Sequence, residues 1–310
     1  MQIIVNEVSF RVVHEGEGPA VLLLHGFPDS SALWRHQIPA LTTAGYQVIA
    51  PDQRGFGASD RPADVAAYRM KVLVGDVLGI LDVLGIQRVS VVGHDCGAAV
   101  GWALATFAPQ RVQRLAALSV GHPAAYFTDA MTQREKSWYM LLFQFVGIAE
   151  DALRRDDWAL FRALMRGQGD IDRYLTDLDR PGALTAALNW YRANVPADVF
   201  VQLAPRSLPP VQCPVLGVWS DGDQHCGEIQ MQASEHHVAG PWQYVRIEGA
   251  SHWIPLDAPD TLTTLLLDFL SPVRSRSLDA DCGSGDLKEG SADGGSECGH
   301  LGVGPGPTHR

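Results

Sequence analysis

The sequence predicts an α/β fold in which a doubly wound, mostly parallel sheet is interrupted by a helical insertion. Short apolar segments of strand length alternate with segments whose apolar residues recur every three or four positions. Some strand segments, such as Val21–Leu24, are apolar throughout, which is typical of strands buried on both faces. Between residues 123 and 210 only helical patterns occur. We therefore expect a core at 1–122 and 211–271 that carries a helical cap at 123–210.

The elements of the core follow one another in a regular order. The chain is expected to begin with a hairpin at 3–15, and the last helix is expected at 259–270. The other core strands are expected at 21–24, 46–50, 89–92, 115–120, 214–219 and 243–247, and the other core helices at 30–41, 68–84 and 97–108. Within the cap, helices are expected at 132–146, 157–166 and 182–193.

Composition limits the classes of partner. The chain has 310 residues, of which 46% are hydrophobic, so it is long enough for one large core with an insertion. Its formal net charge is -11 and no cluster of Lys and Arg occurs, which argues against nucleic acid and anionic membranes as partners. Without a leader-like N-terminus or an apolar run of membrane-spanning length, we expect a cytoplasmic protein. The oligomeric state is not predicted.

The chain ends in a glycine-rich tail, and its cysteines are scattered. Residues 272–310 contain nine glycines and no aromatic residue, so we expect this tail to be disordered. The five cysteines show neither a disulfide pattern nor zinc-ligand spacing. We interpret Cys213 and Cys226 as core or loop thiols, and His225 and His236–His237 as solvated histidines. No metal and no cofactor are assigned.

A turn after the strand Val89–Val92 carries the residue that we expect to react. The turn, Gly93-His94-Asp95-Cys96-Gly97, leads into small residues that suit a helix. This Gly-x-Asp-x-Gly pattern matches a nucleophile elbow with Asp95 at its tip, because glycines permit the tight turn from strand to helix. Alone, the pattern would more often be a turn with a capping aspartate, but the strand before it favours the elbow.

An aspartate at the elbow indicates displacement at an sp3 carbon. A carboxylate that displaces an alkyl leaving group forms an ester, whose carbonyl carbon water can attack. That second step needs a base and an acid that orients it. His252 and Asp223 each follow a predicted strand, and the order Asp, Asp, His fits an elbow-first arrangement, so we assign them these roles. Asp221 is the alternative orienting acid.

The ester intermediate also needs donors for an oxyanion. The backbone amides of Phe27 and Cys96 are available, the latter directly after the elbow aspartate. We expect the Phe27–Pro28 bond to be cis.

Together, His25-Gly26-Phe27-Pro28, the elbow, Asp223 and His252 resemble the α/β-hydrolase group of epoxide hydrolases and haloalkane dehalogenases. The resemblance covers residues 1–271. In the cap, Trp138-Tyr139 and Leu188-Asn189-Trp190-Tyr191-Arg192 are similar to the two segments that carry the ring-opening tyrosines of epoxide hydrolases.

The resemblance implies an α/β-hydrolase fold and the hydrolysis of a small hydrophobic epoxide by water, with Tyr139 and Tyr191 as proton donors. Opening an epoxide with a carboxylate produces an alkoxide, and two phenols facing the nucleophile would protonate it. We expect Trp138, Trp190 and Trp253 to bind the substrate.

Two alternatives stay open at this point. Dehalogenases of the group hold the halide with N–H donors after the nucleophile and after His-Gly, where this chain has Cys96 and Phe27. A haloalkane dehalogenase is therefore the second hypothesis. The third is a ligand-binding protein on an inactive hydrolase scaffold, although such a protein would not need the pair that activates water.

Overall fold

An eight-stranded sheet organises the chain, in the order β1-β2-β4-β3-β5-β6-β7-β8. The computed structural model describes residues 1–127, 131–201 and 207–271. The first two strands pair antiparallel to their neighbours, and all later pairs are parallel, so the predicted fold class is confirmed. The strands are β1 (Gln2–Val5), β2 (Val8–Glu15), β3 (Ala20–Leu24), β4 (Gln47–Pro51), β5 (Val89–His94), β6 (Val112–Leu118), β7 (Val215–Ser220) and β8 (Trp242–Ile247).

Helices cover both faces of the sheet and form the insertion. The core helices are α1 (Gln37–Thr43), α2 (Met70–Val83), α3 (Cys96–Phe107), α10 (Glu228–Gln232), α11 (Ile254–Asp257) and α12 (Pro259–Leu270). Between β6 and β7 lie the cap helices, which are α4 (Thr132–Lys136), α5 (Tyr139–Leu142), α6 (Ile148–Met165), α7 (Ile171–Leu178), α8 (Ala183–Asn194) and α9 (Ala197–Val201). Residues Met1–Ser271 form one unit, and the tail predicted to be disordered lies outside the described residues.

The register of the parallel strands brings their carboxyl ends to one edge. Leu24 at the end of β3 lies opposite Gly93 on β5, and Ser220 at the end of β7 lies opposite Ile247 on β8. The central strands β3 and β5 are buried on both faces, which explains their continuous apolar sequences. The loops that follow these four strands carry the predicted nucleophile, base, orienting acid and one oxyanion amide, so the sheet places Asp95, His252, Asp223 and Phe27 along a single edge.

Two predicted cap helices differ from the structure. The helix expected at 132–146 is divided into α4 and α5 by Ser137 and Trp138. The helix expected at 157–166 begins earlier, at Ile148, and has non-helical backbone from Arg155 to Trp158. Among the residues that the structure describes, no helix has both the length and the apolarity needed to cross a membrane.

Candidate active site

The elbow holds Asp95 in a strained conformation at the end of β5. Asp95 has φ 52° and ψ -124°, an unusual combination for a residue with a side chain. A Cβ on Gly93 would meet backbone atoms of Gly97 and Ala98 at 2.5–2.7 Å, and one on Gly97 would overlap the carbonyl of Leu24. The chain can therefore turn from strand to helix here only with glycine at both positions, and the turn projects Asp95 from the sheet edge.

A backbone amide fixes one oxygen of the Asp95 carboxylate. Phe27 N donates to Oδ1 at 2.9 Å, and the backbone of Cys96 also lowers the pKa of this carboxyl group. Burial alone would raise the pKa of Asp95, but the hydrogen bond and charge of His252 hold it below its ordinary value. Asp95 is therefore a carboxylate at neutral pH. The Phe27–Pro28 bond is cis, as predicted.

His252 lies between two carboxylates. Its Nδ1 is 2.8 Å from Asp223 Oδ2, and its Nε2 is 3.4 Å from Asp95 Oδ2. Burial lowers the pKa of His252, but the charge of Asp223 and the hydrogen bonds to both carboxylates raise it well above the ordinary value. The resting site is thus an imidazolium between two carboxylates, with the proton on Nδ1 shared with Asp223.

The loop after β7 wraps around the carboxylate of Asp223. Asp223 Oδ1 accepts hydrogen bonds from His225 N at 2.7 Å and from Cys226 N at 2.8 Å. Together with His252, these donors keep the pKa of Asp223 below its ordinary value despite its burial. Asp221 instead accepts from Gly249 N at 2.8 Å, so it closes the neighbouring turn. The geometry thus favours Asp223 as the acid that orients His252.

Two phenols of the cap lie beside this edge. The rings of Tyr139 and Tyr191 are 6.1 Å apart, and Tyr191 lies edge-on to Phe27 at 5.5 Å. Both side chains are buried, and burial together with nearby acids raises the pKa of both phenols well above the ordinary value. Both phenols are therefore protonated at neutral pH and available as proton donors.

A buried ion pair fixes the two phenol-bearing segments to each other. Arg192, next to Tyr191, donates from Nη1 and Nη2 to the Glu150 carboxylate at 2.8 and 2.9 Å. Its Nε donates to Phe143 O at 2.8 Å, one turn after Tyr139. Arg192 therefore joins α8 to the end of α5, and the separation of the two phenols is held by charge-assisted hydrogen bonds.

Of the three predicted substrate-binding tryptophans, the structure brings one to the site. Trp253 is buried, and its ring lies edge-on to His252 at 5.1 Å. Trp190 donates its indole N–H to Arg54 O at 2.9 Å and packs on Phe56. Its side chain therefore joins the cap to the core. Trp138 is 46% exposed and has no ring contact with the site among the described residues. Adjacency in the sequence to Tyr139 and Tyr191 did not bring these two indole rings to the site.

The prediction that His225 is a solvated histidine is wrong. His225 is buried, not solvated, and its ring lies 5.3 Å from that of His252 and 5.9 Å from that of Tyr139. Burial, with the charge of His252, lowers the pKa of His225 to about 4, so this imidazole is neutral. Its position two residues after Asp223 was the available signal, because the loop that orients the acid must also line the site.

The thiol of Cys226 completes a cluster of possible metal ligands. Asp223, Cys226 and His252 each offer one ligand atom, and these atoms lie within 4.8 Å of one another. His252 and Asp223 already bond each other, and burial raises the pKa of Cys226 to about 11, so its thiol is protonated. The Nδ1 atom of His252 is thus engaged by Asp223, as expected of a base with its orienting acid.

Comparison with known proteins identifies relatives over most of the chain. Residues 19–259 match the family model described as "alpha/beta hydrolase fold". The chain is 34% identical to "Epoxide hydrolase A" of Mycobacterium tuberculosis (strain ATCC 25618 / H37Rv), over 87% of this chain and 97% of that protein. It is 33% identical to "AB hydrolase superfamily protein YfhM" of Bacillus subtilis (strain 168), over 86% of this chain and 95% of that protein.

A solved structure agrees with these sequence matches. The crystal structure of the epoxide hydrolase of Bacillus megaterium in complex with an inhibitor superimposes with a TM-score of 0.78 at 28% identity. The superposition covers 87% of this chain and 99% of that one. The sheet order, the elbow and the sequence matches agree. The chain belongs to the α/β-hydrolase fold family and, within that family, to the epoxide hydrolases.

Proposed function

We propose that the protein hydrolyses a hydrophobic epoxide to a vicinal diol through a covalent alkyl ester on Asp95. One observation carries the proposal. Two buried, protonated phenols lie together at the sheet edge where His252 is paired with both Asp95 and Asp223. A nucleophile, a base and two proton donors are the groups that ring opening followed by ester hydrolysis requires.

In the first step, Asp95 Oδ2 attacks a ring carbon of the epoxide and the carbon–oxygen bond breaks. Oδ1 is held by the amide of Phe27 at 2.9 Å, which leaves Oδ2 as the attacking oxygen. The electron pair of the broken bond goes to the departing ring oxygen, which takes a proton from Tyr139 or Tyr191. The product is an ester of Asp95 whose alcohol carries the new hydroxyl group.

Ester formation changes the charge around His252. The free enzyme has carboxylates at both imidazole nitrogens, and both raise the pKa of His252. The ester removes the charge of Asp95, so the pKa of His252 falls and its Nε2 proton can return to the tyrosinate. The imidazole then becomes a base at the moment when water must be activated.

In the second step, His252 Nε2 takes a proton from water and the hydroxide attacks Cγ of Asp95. The negative charge that develops on Oδ1 is stabilised by the amides of Phe27 and Cys96. Collapse of this intermediate breaks the bond to the alcohol, which takes the proton from His252 and leaves as the diol. Asp95 is released as a carboxylic acid that contains one oxygen from water, and its proton passes to His252 Nε2, which restores the carboxylate and the imidazolium.

Aromatic side chains around the phenols favour an apolar substrate. Phe27 lies 5.7 Å from Phe143, and Tyr191 lies 5.1 Å from Phe143 and 5.5 Å from Phe27. Such a surface gains free energy by covering hydrocarbon. We therefore propose an aryl- or alkyl-substituted epoxide as the substrate class.

Turnover in heavy-oxygen water tests the proposal. The purified chain would be incubated with styrene oxide through several turnovers, and the peptide that contains Asp95 would be analysed by mass spectrometry. We expect diol formation, heavy oxygen in the Asp95 carboxylate, and neither with Asp95→Ala. Label in the diol without label in Asp95 would indicate direct attack by water. Absence of turnover on aryl and alkyl epoxides would favour a ligand-binding protein.

A further inference from the structure

We infer that Gln133 is a positioning residue that holds the loop of the orienting acid against the cap segment that carries Tyr139. The loop, called the acid loop below, comprises residues 223–227. The inference rests on the proposed function and assigns a role to a side chain that lies outside the reacting groups. Gln133 lies in α4, and 2% of its surface is exposed.

Both ends of the Gln133 amide bond the backbone of the acid loop. Nε2 donates to His225 O at 2.9 Å, and Oε1 accepts from Gly227 N at 2.8 Å. Neighbouring Lys136 adds a third bond, from Nζ to Asp223 O at 3.0 Å. A helix of the cap therefore contacts the backbone of the acid loop at three residues.

The peptide geometry transmits these contacts to the carboxylate of Asp223. His225 O and Cys226 N belong to the same planar peptide unit, which rotates as a rigid plate. One edge of this unit is held by Gln133, and the N–H on the other edge donates to Asp223 Oδ1 at 2.8 Å. The next peptide unit is held at both ends as well, since Cys226 O accepts from Trp219 Nε1 at 3.0 Å and Gly227 N bonds Gln133. Gln133 thereby fixes a donor that orients Asp223.

The same amide reaches towards the first phenol. Gln133 Nε2 also lies 2.8 Å from Ser137 Oγ, one helical turn onward, and 3.2 Å from Tyr126 Oη. Ser137 is two residues before Tyr139, and its carbonyl accepts from Met140 N at 2.9 Å. One buried side chain thus contacts both the orienting acid's loop and the turn that begins the Tyr139 helix. Buried polar networks of this kind restrict a site to one arrangement when all members are bonded.

The consequence for the reaction is a specific effect on ester hydrolysis. Without the Gln133 amide, the peptide unit between His225 and Cys226 loses the hydrogen bond to its carbonyl. The N–H of that unit then orients the Asp223 carboxylate less precisely. Because the charge of Asp223 raises the pKa of His252, that pKa should fall in the variant. Displacement of a group that orients a catalytic base slows its step by about 10–100-fold.

Gln133→Met tests the role, with Gln144→Met as the matched control. Methionine keeps the length of the side chain and removes its hydrogen bonds. Gln144 is a part-buried glutamine of the same cap, but its Nε2 donates to Met140 O and Val195 O, both within the cap. Rapid-quench experiments with styrene oxide give the rates of ester formation and hydrolysis, and NMR titration gives the pKa of His252.

We expect Gln133→Met to hydrolyse the ester about 10–100-fold more slowly, with a lower His252 pKa, and Gln144→Met to match the parent in both. Gln133→Glu retains the acceptor for Gly227 N, so its rate of ester hydrolysis should lie between that of Gln133→Met and that of the parent. It replaces Gln133→Met in the experiment if Gln133→Met does not fold. Parental hydrolysis with a parental His252 pKa in the Gln133 variants would overturn the inference, as would equal slowing in Gln144→Met. If the parent forms no ester, the proposed function fails, and the NMR titration still decides the role of Gln133.

Discussion

The Nε2 atom of His252 lies 3.4 Å from Oδ2 of Asp95, so the proposed base of ester hydrolysis is ion-paired with the proposed nucleophile. The pair stabilises the carboxylate form of Asp95 and the protonated form of His252 together. In the proposed reaction, Asp95 is therefore ready to attack before substrate arrives, and His252 becomes available as a base only after Asp95 has formed the ester. This order follows from the charges alone, without a movement of the backbone.

Neutralising Asp95 should lower the pKa of His252. Asp95→Asn removes one of the two carboxylates that raise this pKa and mimics the charge of the ester. Titration of the His252 imidazole by NMR in the parent and in Asp95→Asn measures the effect. An unchanged His252 pKa would mean that Asp223 alone sets it and that ester formation does not activate the base.

Removing the base should separate the two half-reactions. His252→Gln should open the epoxide once and then accumulate the ester, because only hydrolysis needs proton abstraction from water. Intact-protein mass spectrometry should detect the adduct, and Asp95→Ala should form none. Turnover by His252→Gln at the parental rate would contradict the assignment of His252 as the base.

The two phenols should affect ring opening far more than ester hydrolysis. Tyr139→Phe and Tyr191→Phe should each slow ester formation by about 10–1000-fold, which is the scale of losing one donor to a developing oxyanion. The double variant should form almost no ester. Rapid-quench kinetics on styrene oxide measure both steps, and halide release from a bromoalkane is measured in parallel. Fast halide release that does not depend on the tyrosines would move the assignment to a haloalkane dehalogenase.

Asp29, which joins core and cap, should make stability depend on pH. Tyr174 Oη of the cap donates to Asp29 Oδ2 at 2.7 Å, and burial raises the pKa of Asp29 from 3.8 to about 7, partly opposed by Tyr174 and Arg173. A raised acid pKa stabilises the fold fully below 3.8, and this contribution is lost as the pH rises towards 7. The difference corresponds to roughly 4 kcal/mol of unfolding free energy.

Asp29→Asn provides the comparison, because its amide oxygen still accepts from Tyr174 but does not titrate. Thermal unfolding at several pH values should show the Asn variant gaining stability relative to the parent between pH 4 and pH 8. A difference in melting temperature that stays constant with pH would show that Asp29 is ionised throughout this range.

The sequence predicted those features that depend on local pattern. Continuous apolar runs gave the buried strands β3 and β5, and the spacing of Gly93 and Gly97 gave the elbow, because each is a property of neighbouring residues. The break in the helix expected at 132–146 was not predictable. It occurs where Ser137 bonds Gln133 and Tyr126, and one of these partners lies eleven residues away.

Contacts between distant segments explain the remaining errors. Trp190 lies next to Tyr191, but its indole bonds a carbonyl 136 residues away in the core. Gln133 bonds a loop more than ninety residues later in the chain, and nothing in its own neighbourhood distinguishes it from a helix-surface glutamine. The contacts of both side chains depend on how the cap packs against the core, and the spacing of apolar residues along the sequence does not determine that packing.

Both phenols come from the helices between β6 and β7, whereas the nucleophile, the base and the orienting acid come from loops of the sheet. The two groups proposed to protonate the leaving oxygen are therefore encoded in one continuous stretch of the gene. Exchange of that stretch between genes would alter which bond is cleaved and leave Asp95, His252 and Asp223 in place, provided that the new stretch also supplies the amide that holds the acid loop. Diversity of reactions can arise on this sheet by recombination at two positions, without a succession of individual catalytic substitutions.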